Sequence, residues 1–259
     1  MFSPVVTDYW RATFSGEEAL PRDTSFTIAV KADLSDDRRV MVLRTDDGAV
    51  RAVLTPSLAE AVGISLSQSQ SQSQSQSQPQ ARSLPRLRSE ADLLRALSEV
   101  GIELHPADNL FYFSPKGLIA LLEEAPRPGV RQLSAADAAL FAEFQSSASE
   151  EDLDAAYVEL DHWAVFGAFA QERLVAAASA YPWGNARIAD LGVLTLPEHR
   201  GRGHARAVVR ALSKHAAQSG YEPQYRCQLD NHASLAVANA AGLTHFGTWR
   251  VVSTESTDA

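Results

Sequence analysis

The stretch Leu196–Arg206 reads Leu-Pro-Glu-His-Arg-Gly-Arg-Gly-His-Ala-Arg. It lies between two segments of different periodicity, and that position limits what the chain can build. Before it, Ala186–Leu196 reads as a strand, and Pro197 cannot extend the ladder. After it, Ala205, Val208, Val209, Leu212 and Ala216 recur with helical spacing, while Arg206, Arg210 and Lys214 fall four apart on another face. Gly201 and Gly203 therefore stand at a helix entrance. Backbone N–H groups lack partners there, and the helix dipole places partial positive charge. With no Cβ in the way, an anion can approach that backbone, and Arg200, Arg202 and Arg206 add charge around it. Strand, glycine–arginine loop and helix together predict a phosphate cradle.

The 259 residues suffice for one large domain or two ordinary ones, and a 45% hydrophobic content supplies a core. The net charge of −9 argues against a general nucleic-acid-binding role, since such proteins are usually basic. Cys227 is the only cysteine, so neither an internal disulfide nor a cysteine-held zinc is expected, which fits a reducing cytoplasm. Met1–Trp10 lacks the basic start and apolar run of a signal peptide, and no window approaches the roughly 18–20 apolar residues of a membrane span. The expectation is a soluble cytoplasmic protein with no metal, nucleic-acid or membrane partner.

Ser67–Gln78 is six consecutive Ser-Gln pairs. It has nothing apolar to offset the entropy of ordering, so a disordered loop is expected over about 65–85, with a binding or phosphorylation tract as the other reading. Upstream, Arg38–Thr55 reads as two strands around an Asp47-Gly48 turn, and Pro56 opens a short helix after Thr55. Downstream, Ser89 and Asp92 have capping spacing before the stripe Leu93, Leu94, Leu97 and Val100, and Gly101 stops that helix. A strand at Asn109–Ser114 and a helix from Ser114 follow. Ala125–Gly129 (Ala-Pro-Arg-Pro-Gly) reads as a linker, which sets an N-terminal α+β domain at 1–126 and a second domain at 130–253. The second domain begins with a short strand and two helical stretches, from Ser134 and from Ser149. Three strands come next, then the helix after the loop, a strand at Tyr225–Leu229, a helix at His232–Gly242 and a last strand. This order gives an α/β (α+β) domain with a mixed sheet.

The loop lacks the Gly-Lys-Ser/Thr of a P-loop, and Arg206 occupies the third small position of the dinucleotide fingerprint. Arg200–Ala205 instead matches Gln/Arg-x-x-Gly-x-Gly/Ala, and it resembles the pyrophosphate-binding motif of the GNAT superfamily of acyl-CoA N-acyltransferases. Asn231–Leu243 resembles that family's next motif, Asn-x-x-Ser/Ala followed by a helix and Gly-Phe, with Leu243 in place of the phenylalanine. The resemblance covers roughly Val130–Val252. The earlier residues resemble more weakly an N-terminal extension of some bacterial members.

The resemblance implies a mixed, mostly antiparallel sheet with flanking helices, acetyl-CoA as co-substrate and an amine as acceptor. The pantetheine arm would lie along Val193, Leu194 and Thr195, with Gly192 supporting a bulge that opens the strand. The backbone of Gly201, Arg202, Gly203, His204, Ala205 and Arg206 would take the pyrophosphate. Asn231 would contact the pantetheine, or else be a plain helix-entry residue. The N–H of Val193 or Leu194 would face the oxyanion.

Acyl transfer also needs a proton acceptor for the amine and a donor for the leaving thiolate. Many relatives place a tyrosine where this chain has Ala238, and some a glutamate where it has Arg226. Ser234 is the motif-matched hydroxyl, read either as facing the thiol or as capping its helix. Asp190, on the strand into the site, is the candidate base, with water as an alternative. Glu159, Asp161 and His162 would line the acceptor entrance. Cys227 reads as a buried thiol without nucleophilic partners. The acceptor segments carry no signature: a small-molecule amine, an amino acid, an antibiotic and a protein N-terminus all remain open. So do a non-catalytic acyl-CoA sensor and a homodimer built through the N-terminal domain.

Overall fold

The computed structural model describes residues 1–18, 25–64 and 87–253; the Ser67–Gln78 tract lies outside them. In chain order the elements are α1 (Pro4–Thr13), β1 (Glu17–Glu18), β2 (Phe26–Val30), β3 (Val40–Thr45), β4 (Val50–Leu54), α2 (Pro56–Ala61), α3 (Glu90–Glu99), β5 (Asp108–Tyr112), α4 (Pro115–Glu123), β6 (Val130–Gln132), α5 (Ala138–Ser146), α6 (Glu150–Ala156), β7 (Ala164–Ala170), β8 (Arg173–Pro182), β9 (Ile188–Thr195), α7 (His204–Gln218), β10 (Glu222–Gln228), α8 (His232–Ala241) and β11 (Thr244–Val251). None of the described helices is long and apolar enough to cross a membrane.

Helix starts follow local side-chain chemistry. Ser89, Ser114 and Ser149 each accept a hydrogen bond from the N–H three residues on. Ser134 and Asp137 form a reciprocal capping box ahead of α5. Arg131 clasps the same carboxylate, and these bonds hold Asp137 down at about 2. Thr55 precedes α2 as expected, but its side chain makes no capping bond.

The chain forms two compact units. One comprises Met1–Tyr9 and Asn109–Phe246, the other Trp10–Asp108 and Gly247–Ala259. The division after residue 108 lies upstream of the Ala125–Gly129 segment that sequence suggested. The reason is packing: α4 lies on α7, and its Leu118 and Leu121 join the core there. In the second unit the strand order is β1-β2-β4-β3, with β2 parallel and β3 antiparallel to β4, and Gly247–Val251 antiparallel to β3. Ile28, Val42 and Leu54 bury against Leu93 and Leu97 of α3.

The first unit holds the two sequence motifs. Its strand order is β5-β10-β9-β8-β7-β6. Strands β6 to β9 pair antiparallel, and β10 runs parallel to β9. The apolar stripe of α7 (Val208, Val209, Leu212, Ala216) packs on one face, where Ala176, Ala178 and Ala180 of β8 are small enough to let the helix close in. Phe141 and Phe144 of α5 cover the other face with Val165, Leu174 and Leu194.

Candidate active site

Strands β9 and β10 part in the middle of the sheet. Their register runs from Ile188↔Glu222 to Leu191↔Tyr225 and ends there. On its other edge β9 stays paired with β8 as far as Thr195↔Ala176, without a shift at Gly192. The opening therefore comes from β10 leaving β9, and not from the bulge expected at Gly192. Glycine is needed at 192 for another reason: a Cβ there would collide with the Ala156 carbonyl at the end of α6. Tyr157, next in the chain, takes a left-handed conformation at φ 46° and turns the backbone away.

The freed edge, Gly192–Thr195, leads to the entrance of α7. Gly201 and Gly203 have φ 74° and 80°, a region costly for residues with a Cβ, and nothing lies within 4 Å of where either Cβ would stand. No side chain caps α7. Ala207 is bonded to the Gly203 carbonyl, so His204, Ala205 and Arg206 are the first-turn donors that the helix itself cannot pair. Burial and then His199, Arg127 and Arg202 push the His204 imidazole below its ordinary pKa, which marks the surroundings as cationic. Thr195 Oγ1 and His199 Nδ1, at the two ends of this turn, are buried polar atoms without a hydrogen-bond partner. Open donors, positive charge and space are what a pyrophosphate requires. Arg200 has another task. It forms two bonds to Asp152 of α6, at 2.8 and 2.9 Å, and one to the Thr195 carbonyl, so it braces the loop.

At the mouth of the opening lies a cavity of about 320 Å³ lined by Asp154–Tyr157, Tyr181, Asp190–Val193, Tyr225, Arg226 and Ser234. Asn231 Oδ1 accepts the Ser234 N–H at 2.9 Å and caps α8. The Ser234 side chain is thereby released from capping, and the residue lines the cavity together with Tyr225. Tyr225 is buried, and burial pushes its phenol up to about 12.

Asp190 stands on the other side of the opening, flanked in register by Tyr181 on β8 and Gln224 on β10. Tyr181 donates at 3.0 Å and Gln224 at 2.8 Å, and Arg226 holds both carboxylate oxygens, at 2.8 Å in its shortest contact. Burial and then the Asp190 charge push the Tyr181 phenol up to about 12. The Arg226 guanidinium also lies over the Trp183 ring at 4.6 Å. Every oxygen of Asp190 is thus engaged by a donor, so its lone pairs are not open to a substrate amine.

His162 stacks into this rim beside Tyr157 and Tyr181, with Nδ1 2.8 Å from Ser179 Oγ. Glu159 and Asp161 are exposed, and neither lines the cavity. Cys227 is buried, as its sequence context suggested.

Comparison with known proteins bears on this arrangement. Residues 135–243 match the model of the Acetyltransferase (GNAT) family. They form a GNAT-family domain. No curated protein matches the sequence. Among solved structures, the chain is similar to an acetyltransferase from the GNAT family of Colwellia psychrerythraea (20% identity over 58% of this chain and 57% of that one, TM-score 0.43). It is also similar to a GCN5-related N-acetyltransferase from Kribbella flavida (19% identity, 62% and 63% coverage, TM-score 0.44). The chain spans less than two thirds of the length of each.

The cradle and Asn231 fall in the matched segment, and both stand out through glycine and capping chemistry. Tyr225, Tyr181, Gln224 and Tyr157 were not singled out in the sequence. Ala238 is fully buried on the inner face of α8, in the same core cluster as Tyr225. The only signal for Tyr225 was its place in the strand just before the second motif.

Proposed function

We propose that this protein is an acyl-CoA N-acyltransferase that moves an acetyl group from acetyl-CoA to a primary amine. The acceptor would be a small molecule or a protein or peptide N-terminus, attacking directly while both substrates are bound. One observation carries the reading: the uncapped, glycine-built entrance of α7 is continuous with the freed edge of β9, so an anion site leads straight to a strand with open backbone groups. Acetyl-CoA supplies a thioester carbonyl open to a neutral amine. The first-turn N–H groups of α7, with Arg202 and Arg206, bind the pyrophosphate. The backbone of Val193, Leu194 and Thr195 holds the pantetheine as a strand would, and the Val193 or Leu194 N–H faces the developing oxyanion. Ser234 offers the proton for the departing sulfur. Asn231 acts by shaping the α8 entrance, and Arg200 by bracing the loop.

Asp190, clasped by Arg226, organises the acceptor side, and the amine proton leaves through water in the open cleft. The engaged state of Asp190 together with Ala238 favours a second reading, a non-catalytic acyl-CoA sensor. Incubation with acetyl-CoA and a panel of amino acids, polyamines, aminoglycosides and peptides, read by free thiol and by mass of the product, separates the two. An acetylated amine is the expected result. Binding of acetyl-CoA without thiol release from any amine would favour the sensor.

A further inference from the structure

We propose that the groove between the Ala125–Gly129 segment and α7 takes the nucleoside end of the coenzyme, with Arg127 binding its 3′-phosphate, an inference that rests on the acyltransferase reading above. The groove is a cavity of about 420 Å³, and its walls come from the end of α4, the segment after it, β6, β7 and α7. Arg206 lines it, so the cavity begins at the first turn of α7, beside the anion cradle. Leu121, Val130, Phe166 and Ala211 give it an apolar lining. A purine needs an apolar surface, and a phosphate needs cations beside it. Acetyl-CoA carries both groups on the ribose that follows its pyrophosphate.

Arg127, Arg206, Arg210 and Lys214 all line this cavity, and their tasks differ. Arg210 Nε donates to the Glu124 carboxylate at 2.7 Å, and Arg210 also donates to the Ala241 carbonyl. Lys214 Nζ donates to the Glu124 carbonyl. These bonds neutralise the acid in the lining and pin the start of the Ala125–Gly129 segment. At its far end the Arg127 carbonyl accepts the Val130 N–H at 3.1 Å, and the Gly129 carbonyl accepts the Phe169 N–H at 2.7 Å. The stretch that sequence read as a linker is thus fastened at both ends, and Arg127 is held at the cavity. Among the described residues, neither Arg127 nor Arg206 has an ion pair or a side-chain hydrogen bond. After burial and His199, the Arg127 charge helps hold the His204 imidazole below its ordinary pKa, so this cation reaches the first turn of α7. A phosphate monoester carries a charge of about −1.5 to −2 near pH 7, and a guanidinium matches its oxygens with paired N–H donors. Two uncommitted guanidinium groups beside an apolar lining complement a phosphorylated nucleoside. The cationic stripe of α7 is therefore divided: Arg210 and Lys214 hold the segment, and Arg206 stays open to the ligand with Arg127.

The test is calorimetric titration of CoA, and of dephospho-CoA, which lacks only that phosphate, into the wild type and Arg127→Gln at one salt concentration. Arg127 is exposed, so the melting temperature should be retained. The wild type should bind CoA at least about fivefold more tightly than dephospho-CoA. Arg127→Gln should lose most of that preference, while its affinity for dephospho-CoA stays within about twofold of the wild type's, because only the phosphate–arginine pair is removed. Equal affinity of the wild type for the two ligands overturns the proposal, and so does a preference that Arg127→Gln keeps. A loss in Arg127→Gln that dephospho-CoA shares equally would also overturn it, since that is the effect of charge at a distance. In each of these cases the acyltransferase reading stands. A wild type that binds neither ligand defeats that reading, and this proposal with it.

Discussion

Two helices enter the first unit beside the same opening, and their entrances are built in opposite ways. At α8, the Asn231 side chain accepts the Ser234 N–H, so an orphan donor is satisfied from within the chain. At α7, Gly203 has no side chain to offer, and the first-turn donors face open space. Both helices follow a strand of the same sheet and both pack into the same core. With glycine at its N-cap, α7 forgoes roughly a few tenths of a kcal/mol that an asparagine or serine would give. A position where the chain forgoes a cap and also adopts left-handed backbone points to a ligand that completes it. The capped entrance does something else: it fixes the backbone of Ser234, the proposed proton donor, and stabilises the fold.

The contrast predicts different phenotypes at the two entrances. The largest effect expected at α8 is on turnover. Ser234→Ala should slow acetyl transfer about a hundredfold, the scale of lost general-acid help, with acetyl-CoA affinity nearly unchanged. Steady-state kinetics beside calorimetry reads both, and a loss below about threefold would make Ser234 structural. Next comes Asn231→Ala, which removes the cap and should cost about 1 kcal/mol of folding stability in a denaturant titration. Affinity for acetyl-CoA should change far less than tenfold, since α7 is untouched; a large loss would mean that Asn231 contacts the ligand.

The smallest effect belongs to His204. His204 is held below its ordinary pKa in the free protein, so it is mostly neutral near pH 7 and gains charge only as pH falls below about 6.5. A bound anion favours the charged form, so binding tightens as that proton is taken up. Between pH 7.5 and 5.5 the wild type should gain about threefold more affinity than His204→Ala does. Parallel pH profiles would remove His204 from the cradle.

How much of this was legible in the sequence depended on distance along the chain. The cradle was legible because its cause is local: proline, glycine, arginine and a helical stripe within a few residues. The capping serines at 89 and 134 were legible for the same reason. The Asp190 network was not. Asp190 meets Tyr181 and Gln224 only because β8 and β10 bring those residues into register on either side of it, and strand register is set by the whole sheet. The same limit applies to Tyr225 and Ser234, which line one cavity only because α8 packs on β10. Gly192 answers to a contact from α6, an element distant in sequence, and not to the bulge expected there. The unit boundary shifted because α4 follows the packing of α7 and not the prolines after it. The glycine spacing therefore located the uncapped entrance of α7, while the side chains around Asp190 came together only in the packed sheet.

Calorimetric titration of acetyl-CoA into the wild type and Gly203→Asp tests the central claim most directly. Aspartate is a good helix cap and tolerates left-handed backbone, so the fold should survive. Its carboxylate would close the α7 entrance with the chain's own charge, as Asn231 closes α8. The account predicts binding by the wild type and an affinity at least tenfold weaker in the variant, a loss of about 1.4 kcal/mol or more, with the melting temperature retained. Equal affinity in the two proteins would contradict it.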